Sequence, residues 1–359
     1  MRRLLINGRF LSGQITAVNS VAKELSIALH QASLRQDNGW SVELVVPRAL
    51  ESKAWSLGIP VRSHGRLSGI FWEQLELPKL RRDGVVLSLF NTVPIFGRGY
   101  TTMLHDANVM KTPESYGRLT RRWRKFLSWR AGNSGNHILT ISEYSLMSLL
   151  DCGIGHPEMF GIVPNGLGQV GRVQADIGIF TRLGLRYGVP YCVGLSSLLP
   201  HKNIEVLLKS FARPALAGVD LVLFGNATAD DFRELGHPVS SNVHFAGFVT
   251  DEELAALYRG ALAVCMPSRE EGFGLPALEG MAHGAVALVA PNGSLPEVVA
   301  DAGVYAHPDD PEEWVEQILK LKCDRALTQS LRCAGRKRAA EYTWDASAER
   351  TFELLERWY

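Results

Sequence analysis

The chain has 359 residues, 46% of them hydrophobic and 21% charged; this is too long for one ordinary core and fits two domains of globular composition. A net charge of +1 excludes whole-molecule attraction to nucleic acid. The cysteines, Cys152, Cys192, Cys265, Cys323 and Cys333, are odd in number and show no Cys-x-x-Cys spacing, which argues for reduced core thiols over disulfides or zinc.

Met1, Arg2 and Arg3 precede only three strongly apolar residues, Leu4 to Ile6, too few for the core of a signal peptide. No apolar run approaches the roughly 20 residues of a spanning helix. The expected location is cytoplasmic, with peripheral contact to the inner face of the plasma membrane at most. Apolar runs at residues 4–7, 42–46, 85–89, 101–104 and 137–141 predict strands in the first half. Runs at 191–195, 221–224, 243–245, 262–266 and 285–290 do so in the second. Amphipathic stretches such as 17–32 and 204–211 lie between them. Continuous apolar strands alternating with helices imply an α/β protein with parallel sheets covered on both faces.

The strand pattern restarts near residue 190, after a Gly-rich stretch from Gly166 to Gly188 with no strong strand. The expected domains are 1–180 and 181–340. Trp344, Ala348, Phe352 and Leu355 have helical spacing, which predicts a C-terminal helix in 341–359 crossing back to the first domain. Two doubly wound domains would face each other across a cleft, with ligands at the carboxyl ends of their strands.

Several loops after predicted strands carry chemistry. Residues 8–16, with Gly13 and Thr16, join the first strand to a helix and suit either a close approach to phosphate or acceptor, or an ordinary turn. His105 and Asp106 follow the strand at 101–104. Asn165 and Gly166 read as a turn. Lys202, in a stretch with Ser196, Ser197, His201 and Asn203, follows the strand at 191–195, and Asn203 suits a helix cap. Residues 246–249, ending at Val249, follow the strand at 243–245. The strongest stretch is 268–279. Here Glu271, Gly272, Phe273, Gly274 and Leu275 lead to Pro276 and Glu279. Strand, Gly-bearing loop and Pro-started helix form an anion site, with loop amides and helix dipole aimed at the ligand. A carboxylate there can accept hydrogen bonds from ligand hydroxyls.

Residues 118–130 interleave Arg118, Arg121, Arg122, Arg124, Lys125 and Arg130 with Trp123, Phe126 and Trp129. Two readings stand: a basic amphipathic helix for an anionic membrane surface, or a solvated basic face with aromatics in the core. Nucleic-acid binding finds no support elsewhere. The chain has no Asp-x-Asp, no Gly-x-x-x-x-Gly-Lys, no His-Glu-x-x-His and no Gly-x-Gly-x-x-Gly after the first strand.

The stretch 267–284 and the Ser294-Leu-Pro-Glu-Val298 segment resemble glycosyltransferase family 4, retaining enzymes of the GT-B fold, and the similarity extends over nearly the whole chain. The resemblance implies two Rossmann-like domains, an acceptor-binding one first and a donor-binding one second. It implies that Glu279 holds the donor ribose and Glu271 the donor sugar, and that amides at Phe273, Gly274 and Leu275 cradle sugar and phosphate. It gives Lys202 the donor diphosphate, His105 the sugar hydroxyls, and the loop ending at Val249 the base. An Arg usual before the Lys is replaced in the region of Ser196 and Ser197, which leaves His201 or Arg269 to compensate. The N-terminal loop resembles the family's, although Ala17-Val18-Asn19 departs from its usual Gly-Val-x-Arg.

The implied activity is retaining transfer of a hexose, with mannose from GDP-mannose the best match, onto a glycan or lipid-linked acceptor in bacterial surface polysaccharide or lipopolysaccharide assembly. No metal or cofactor is expected beyond the nucleotide-sugar donor. UDP- or dTDP-sugar donors, an epimerase, a phosphorylase and a non-catalytic nucleotide-sugar-binding protein stand as alternatives.

Overall fold

A computed structural model describes every residue except Met1, Gln14, Ile15, residues 36–38, Arg172, Arg186 and Tyr187, with the backbone alone for Gln169. The loop expected at residues 8–16 is therefore described apart from Gln14 and Ile15. The chain forms two units: one runs to Gly166 and includes Thr343–Tyr359, and the other is Leu167–Tyr342. Each is built on a parallel sheet.

The strands of the first unit are β1 (Arg2–Asn7), β2 (Trp40–Val46), β3 (Val61–Ser63), β4 (Val85–Ser88), β5 (Thr101–Met103), β6 (His137–Thr140) and β7 (Phe160–Ile162), in the order β3-β2-β1-β4-β5-β6-β7. Those of the second are β8 (Tyr191–Ser196), β9 (Asp220–Gly225), β10 (Val243–Gly247), β11 (Ala263–Met266), β12 (Val286–Val289) and β13 (Gly303–Tyr305), in the order β10-β9-β8-β11-β12-β13. Every pairing described is parallel.

Central strands are buried on both faces, so their sequences are continuous apolar runs. Leu4, Leu5 and Ile6 in β1 and all of β12 are enclosed. The second unit's core gathers Phe211, Leu221, Leu223 and Leu288 around Trp314. The first unit's core includes Trp72, Tyr100 and Ile138. The expected strands are all present. Three more, β3, β7 and β13, were not expected. Each is a three-residue strand at a sheet edge, with partly exposed side chains.

The first unit ends at Gly166 rather than at residue 180 because the following segment bonds within the second. The amide of Leu167 donates to Tyr342 O at 3.0 Å, and that of Asp176 to Glu252 O at 2.9 Å. Arg182 donates to Ala246 O at 3.0 Å and to Glu253 at 2.9 Å. The last helix, Trp344–Trp358, belongs to the first unit. The Thr343 hydroxyl caps it by accepting from the Ala346 amide at 3.1 Å, and its apolar face covers the Ala17–Arg35 helix. Phe352 meets Trp40 with ring centroids 6.2 Å apart, and Trp358 stacks on His137 at 4.4 Å.

The Arg118–Gly132 helix buries Leu127, Ser128, Ala131 and Gly132. Phe126 and Trp129 lie outside, 39% and 53% exposed. They are not core residues, so the reading that placed the helix aromatics in the core does not hold. No described helix is long and apolar enough to cross a membrane.

Phe352→Ala removes a buried ring that ties the C-terminal helix to β2. We expect it to destabilise the first unit by about 3 kcal/mol, read as an earlier urea transition of the near-ultraviolet signal from Trp40 and Trp344.

Candidate functional site

In the second sheet, β8 has β9 on one side and β11 on the other. From β8 the chain builds outward through β9 and β10, then returns to β11 and builds the other way through β12 and β13. The strand order reverses between β8 and β11, and the helices that follow them diverge there. A crevice opens at their carboxyl ends, the place where open α/β sheets bind ligands. The Lys202 loop follows β8 and the Glu271 loop follows β11, so both arrive at this point.

The two loops meet through an ion pair. The Lys202 ammonium donates to Glu271 Oε2 at 2.7 Å, with both side chains largely buried. The Ser268 hydroxyl donates to the same oxygen at 3.2 Å. Behind Glu271 the loop 291–294 fixes the backbone: the Ser294 amide and hydroxyl both donate to Glu271 O at 3.0 Å. Gly293 has φ +64°, and a Cβ there would fall 2.5 Å from Glu271 O. Only glycine allows this approach. Ser268, Gly293 and Ser294 were not singled out as positioning residues, because the contacts that give them this role join separate loops.

Past Glu271 the backbone turns at Gly274, φ +98°, which stands at the N-cap of the Leu275–His283 helix, with Pro276 in its first turn. Phe273 is buried and packs edge-on against Tyr342, centroids 5.6 Å apart. This anchors the Gly272–Leu275 turn while the helix start offers N–H groups and the positive end of its dipole.

Glu279 stands on that helix in a different environment. The fully enclosed Tyr258 hydroxyl faces its carboxyl without a hydrogen bond of normal geometry. A Cβ on Gly168 would lie 3.6 Å from its Oε1. Part of Glu279 stays open to solvent, yet the packing around the carboxyl is dense. Burial, with the Asp251 carboxylate adding to it, pushes the Glu279 carboxyl up to about 8. Tyr258 is raised well above the usual phenol range by burial and by Glu279. The two glutamates thus divide: Glu271 is paired with a cation, and Glu279 is held near neutrality until a partner arrives.

The other cations near the site are committed elsewhere. Asn203 stands at the cap position of the Ile204–Phe211 helix, but in the left-handed region at φ 56°, and its side chain makes no cap. Its Nδ2 donates to Pro267 O at 3.0 Å and to Pro308 O at 2.7 Å instead. Arg269 donates to Asn203 Oδ1 at 2.5 Å and also binds Asp309. Arg269 is therefore a clamp between loops rather than a substitute for the missing diphosphate Arg. His201 is buried, and its carbonyl accepts from the Arg269 amide at 2.7 Å. Ser196, the last residue of β8, donates to Ala227 O at 2.7 Å. The Ser197 hydroxyl accepts from the Leu199 amide at 3.3 Å. Val249 lies partly exposed in the loop between β10 and the Asp251–Gly260 helix, at the same carboxyl edge.

In the first unit, order reverses between β1 and β4, and His105 follows β5, next to β4. His105 Nε2 lies 2.9 Å from Leu89 O. A carbonyl only accepts, so Nε2 carries the proton and Nδ1 is the acceptor in the neutral ring. Burial holds the imidazole below its usual pKa, which keeps that neutral form. The His105 amide donates to Asn91 Oδ1 at 2.8 Å, and the Ser145 hydroxyl to His105 O at 2.9 Å. Asp106 makes no hydrogen bond to His105; its Oδ1 accepts from the Asn108 amide at 2.9 Å and shapes its own turn. Thr16 caps the Ala17–Arg35 helix, its hydroxyl accepting from the Asn19 amide at 3.2 Å. Gly13 is exposed at the end of the turn Gly8–Ser12. Among the described residues, no group of His, Cys, Asp and Glu is gathered to hold a metal ion.

Comparison with known proteins agrees with this architecture. The family described as "Glycosyl transferases group 1" matches residues 180–338, most of the second unit. It is 32% identical over 251 residues to the MMP alpha-(1->4)-mannosyltransferase of Mycolicibacterium hassiacum, covering 67% of this chain and 59% of that protein. The chain thus spans less than two thirds of that relative's length. It is 26% identical to the O-antigen chain mannosyltransferase B of Escherichia coli, over 92% of each chain. Sucrose-phosphate synthase from Thermosynechococcus elongatus superposes with a TM-score of 0.73 at 18% identity, over 99% of both chains. The fold is GT-B.

The raised Glu279 carboxyl makes stability depend on pH. Its folded pKa lies above the unfolded value of 4.5, so its stabilising contribution is complete below about pH 4.5 and is lost as pH rises through about 8. Glu279→Gln stays neutral throughout. We expect its melting temperature to exceed that of the wild type by a few degrees near pH 9 and to match it near pH 5, measured by differential scanning fluorimetry.

Proposed function

We propose that the protein is a retaining glycosyltransferase that moves mannose from GDP-mannose to a glycan or lipid-linked acceptor in bacterial surface polysaccharide or lipopolysaccharide assembly. The observation that carries this reading is the Lys202–Glu271 pair, 2.7 Å apart at the switch point between β8 and β11. It stands beside a helix N-terminus, where a diphosphate is favoured. The mannosyltransferase relatives support the sugar. The family resemblance supports retention.

Binding works by exchange of partners. The donor diphosphate takes the Lys202 ammonium, and the Glu271 carboxylate turns to the hydroxyls of the transferred sugar. The Gly272–Leu275 amides and the dipole of the helix behind them stabilise the charge that grows on the leaving phosphate. Glu279 loses its proton as the ribose hydroxyls supply hydrogen bonds to the ionised form. The bond from the anomeric carbon to the phosphate oxygen breaks as the acceptor oxygen attacks on the same face. The departing phosphate takes the acceptor's proton, so no side chain serves as base. His105 Nδ1 receives a sugar hydroxyl. Lys202 supplies the positive charge that a metal ion would otherwise bring.

Three outcomes test this. Lys202→Ala lowers kcat/KM for mannosyl transfer by at least about 100-fold and weakens GDP binding in calorimetry. Glu271→Ala lowers transfer similarly, yet binds GDP more tightly than the wild type, because the ammonium no longer carries an internal counter-ion. EDTA changes neither rate. Unaltered transfer in both variants, or transfer only from UDP-glucose, contradicts the proposal. Nucleotide affinity of the wild type rises as pH approaches about 8 and levels off above it, as Glu279 ionises; Glu279→Gln shows no such rise.

A further inference from the structure

The first unit carries a second feature that the transfer reaction does not use. The Arg118–Gly132 helix contains no acidic residue. Leu119, Arg122, Phe126 and Trp129 recur at helical spacing on the side opposite the buried Leu127 and Ala131, and all four are exposed. Trp123, Phe126 and Trp129 form a ladder with centroids 6.0 and 6.3 Å apart. This is an apolar stripe flanked by cations on the outside of the unit, an arrangement that a water-facing helix has no reason to keep.

The helix connects β5 to β6. Both strands are parallel, so the helix runs back antiparallel to them and its Trp129 end reaches the amino-terminal edge of the sheet. There Arg130 donates to Ile95 O at 2.8 Å and to Gly97 O at 2.6 Å. That tie joins the helix to two adjoining open grooves, each about 540 Å³, which share Arg81 and Arg82. Arg2 and Arg3, at the start of β1, line one, and the exposed Phe96 lines the other. Asp83, the acid in the lining, is bound to Arg62 at 2.5 Å. The Arg98 guanidinium bears on Arg130, so cations gather along this edge.

We propose that this flank, made of the aromatic stripe and the arginine grooves at the amino ends of β1, β4 and β5, docks the protein on an anionic lipid bilayer. Leu119, Phe126 and Trp129 enter the interface, where aromatic rings and apolar side chains are favoured, and the arginines meet lipid phosphates. Charge complementarity selects the occupant: a stripe of rings calls for an apolar phase, and the adjoining cations call for phosphate at its surface. Within this unit the His105 loop lies at the opposite, carboxyl edge of the strands, so docking leaves it uncovered.

Vesicle co-sedimentation tests this with the full chain. The wild type is expected to bind phosphatidylcholine vesicles containing phosphatidylglycerol and not vesicles of phosphatidylcholine alone, with loss at high salt and a blue shift of tryptophan emission on binding. The pair Phe126→Ser with Trp129→Ser, and separately the pair Arg81→Glu with Arg82→Glu, weaken vesicle binding by about tenfold or more. Both pairs are exposed, and an unchanged thermal midpoint, with an unchanged response to GDP, shows that the fold and the donor site are intact. No binding to the anionic vesicles, or binding that neither pair weakens, overturns the proposal. So does a thermal shift with inorganic phosphate that Arg81→Glu with Arg82→Glu abolishes while vesicle binding persists, since the grooves would then be a site for free anions. None of these readouts depends on sugar transfer.

Discussion

A parallel sheet delivers all of its strand-to-helix loops to one edge, and where strand order reverses, two loops are left with a gap between them. The second unit places the pairing of Lys202 with Glu271 there, across 2.7 Å. Everything else around the site serves that meeting. Gly293 and Ser294 hold the backbone of Glu271. Arg269 and Asn203 lock the Lys202 turn to the loop after β11 and to Pro308. Phe273 nails the following turn to Tyr342. A pre-formed ion pair of this kind is a charge kept in reserve, since an arriving diphosphate exchanges one anion for another without desolvating a bare ammonium.

The two glutamates of the motif show how one helix and one loop give like residues unlike tasks. Glu271 accepts from the Lys202 ammonium and the Ser268 hydroxyl. Glu279 faces Tyr258 and Gly168 and holds its proton up to about pH 8. Ionising it becomes favourable when new hydrogen-bond donors reach it. In the first unit, His105 is fixed from the other side: Leu89 O takes its Nε2 proton, so a buried neutral ring presents an acceptor. Both sites use burial to set protonation and leave the reacting groups to come from the ligand.

The sheets were legible from sequence where burial on both faces made apolar runs, as in β1, β8 and β12. β3, β7 and β13 were not, because an edge strand of three residues is covered on one side and carries no such run. The stretch from Glu271 to Glu279 was legible because strand, glycine turn and proline-started helix are local features. The roles of Arg269, Asn203, Tyr258 and Ser294 come from contacts between loops that lie far apart in the chain. No pattern along the sequence distinguishes an arginine that binds Asn203 and Asp309 from one left to bind phosphate. The basic segment at 118–130 left two readings open for a related reason: periodicity shows that a helix has two faces, and only the fold shows which of them Leu127 and Ala131 bury.

Donor binding by the second unit is the claim on which the rest stands, and a thermal-shift panel of GDP, UDP, dTDP and ADP with EDTA present tests it most directly. A ligand that binds only the folded state raises its melting temperature. A clear rise with GDP, lost in Lys202→Ala, is the expected result. No rise with any of the four nucleotides, or a rise that Lys202→Ala leaves intact, contradicts it.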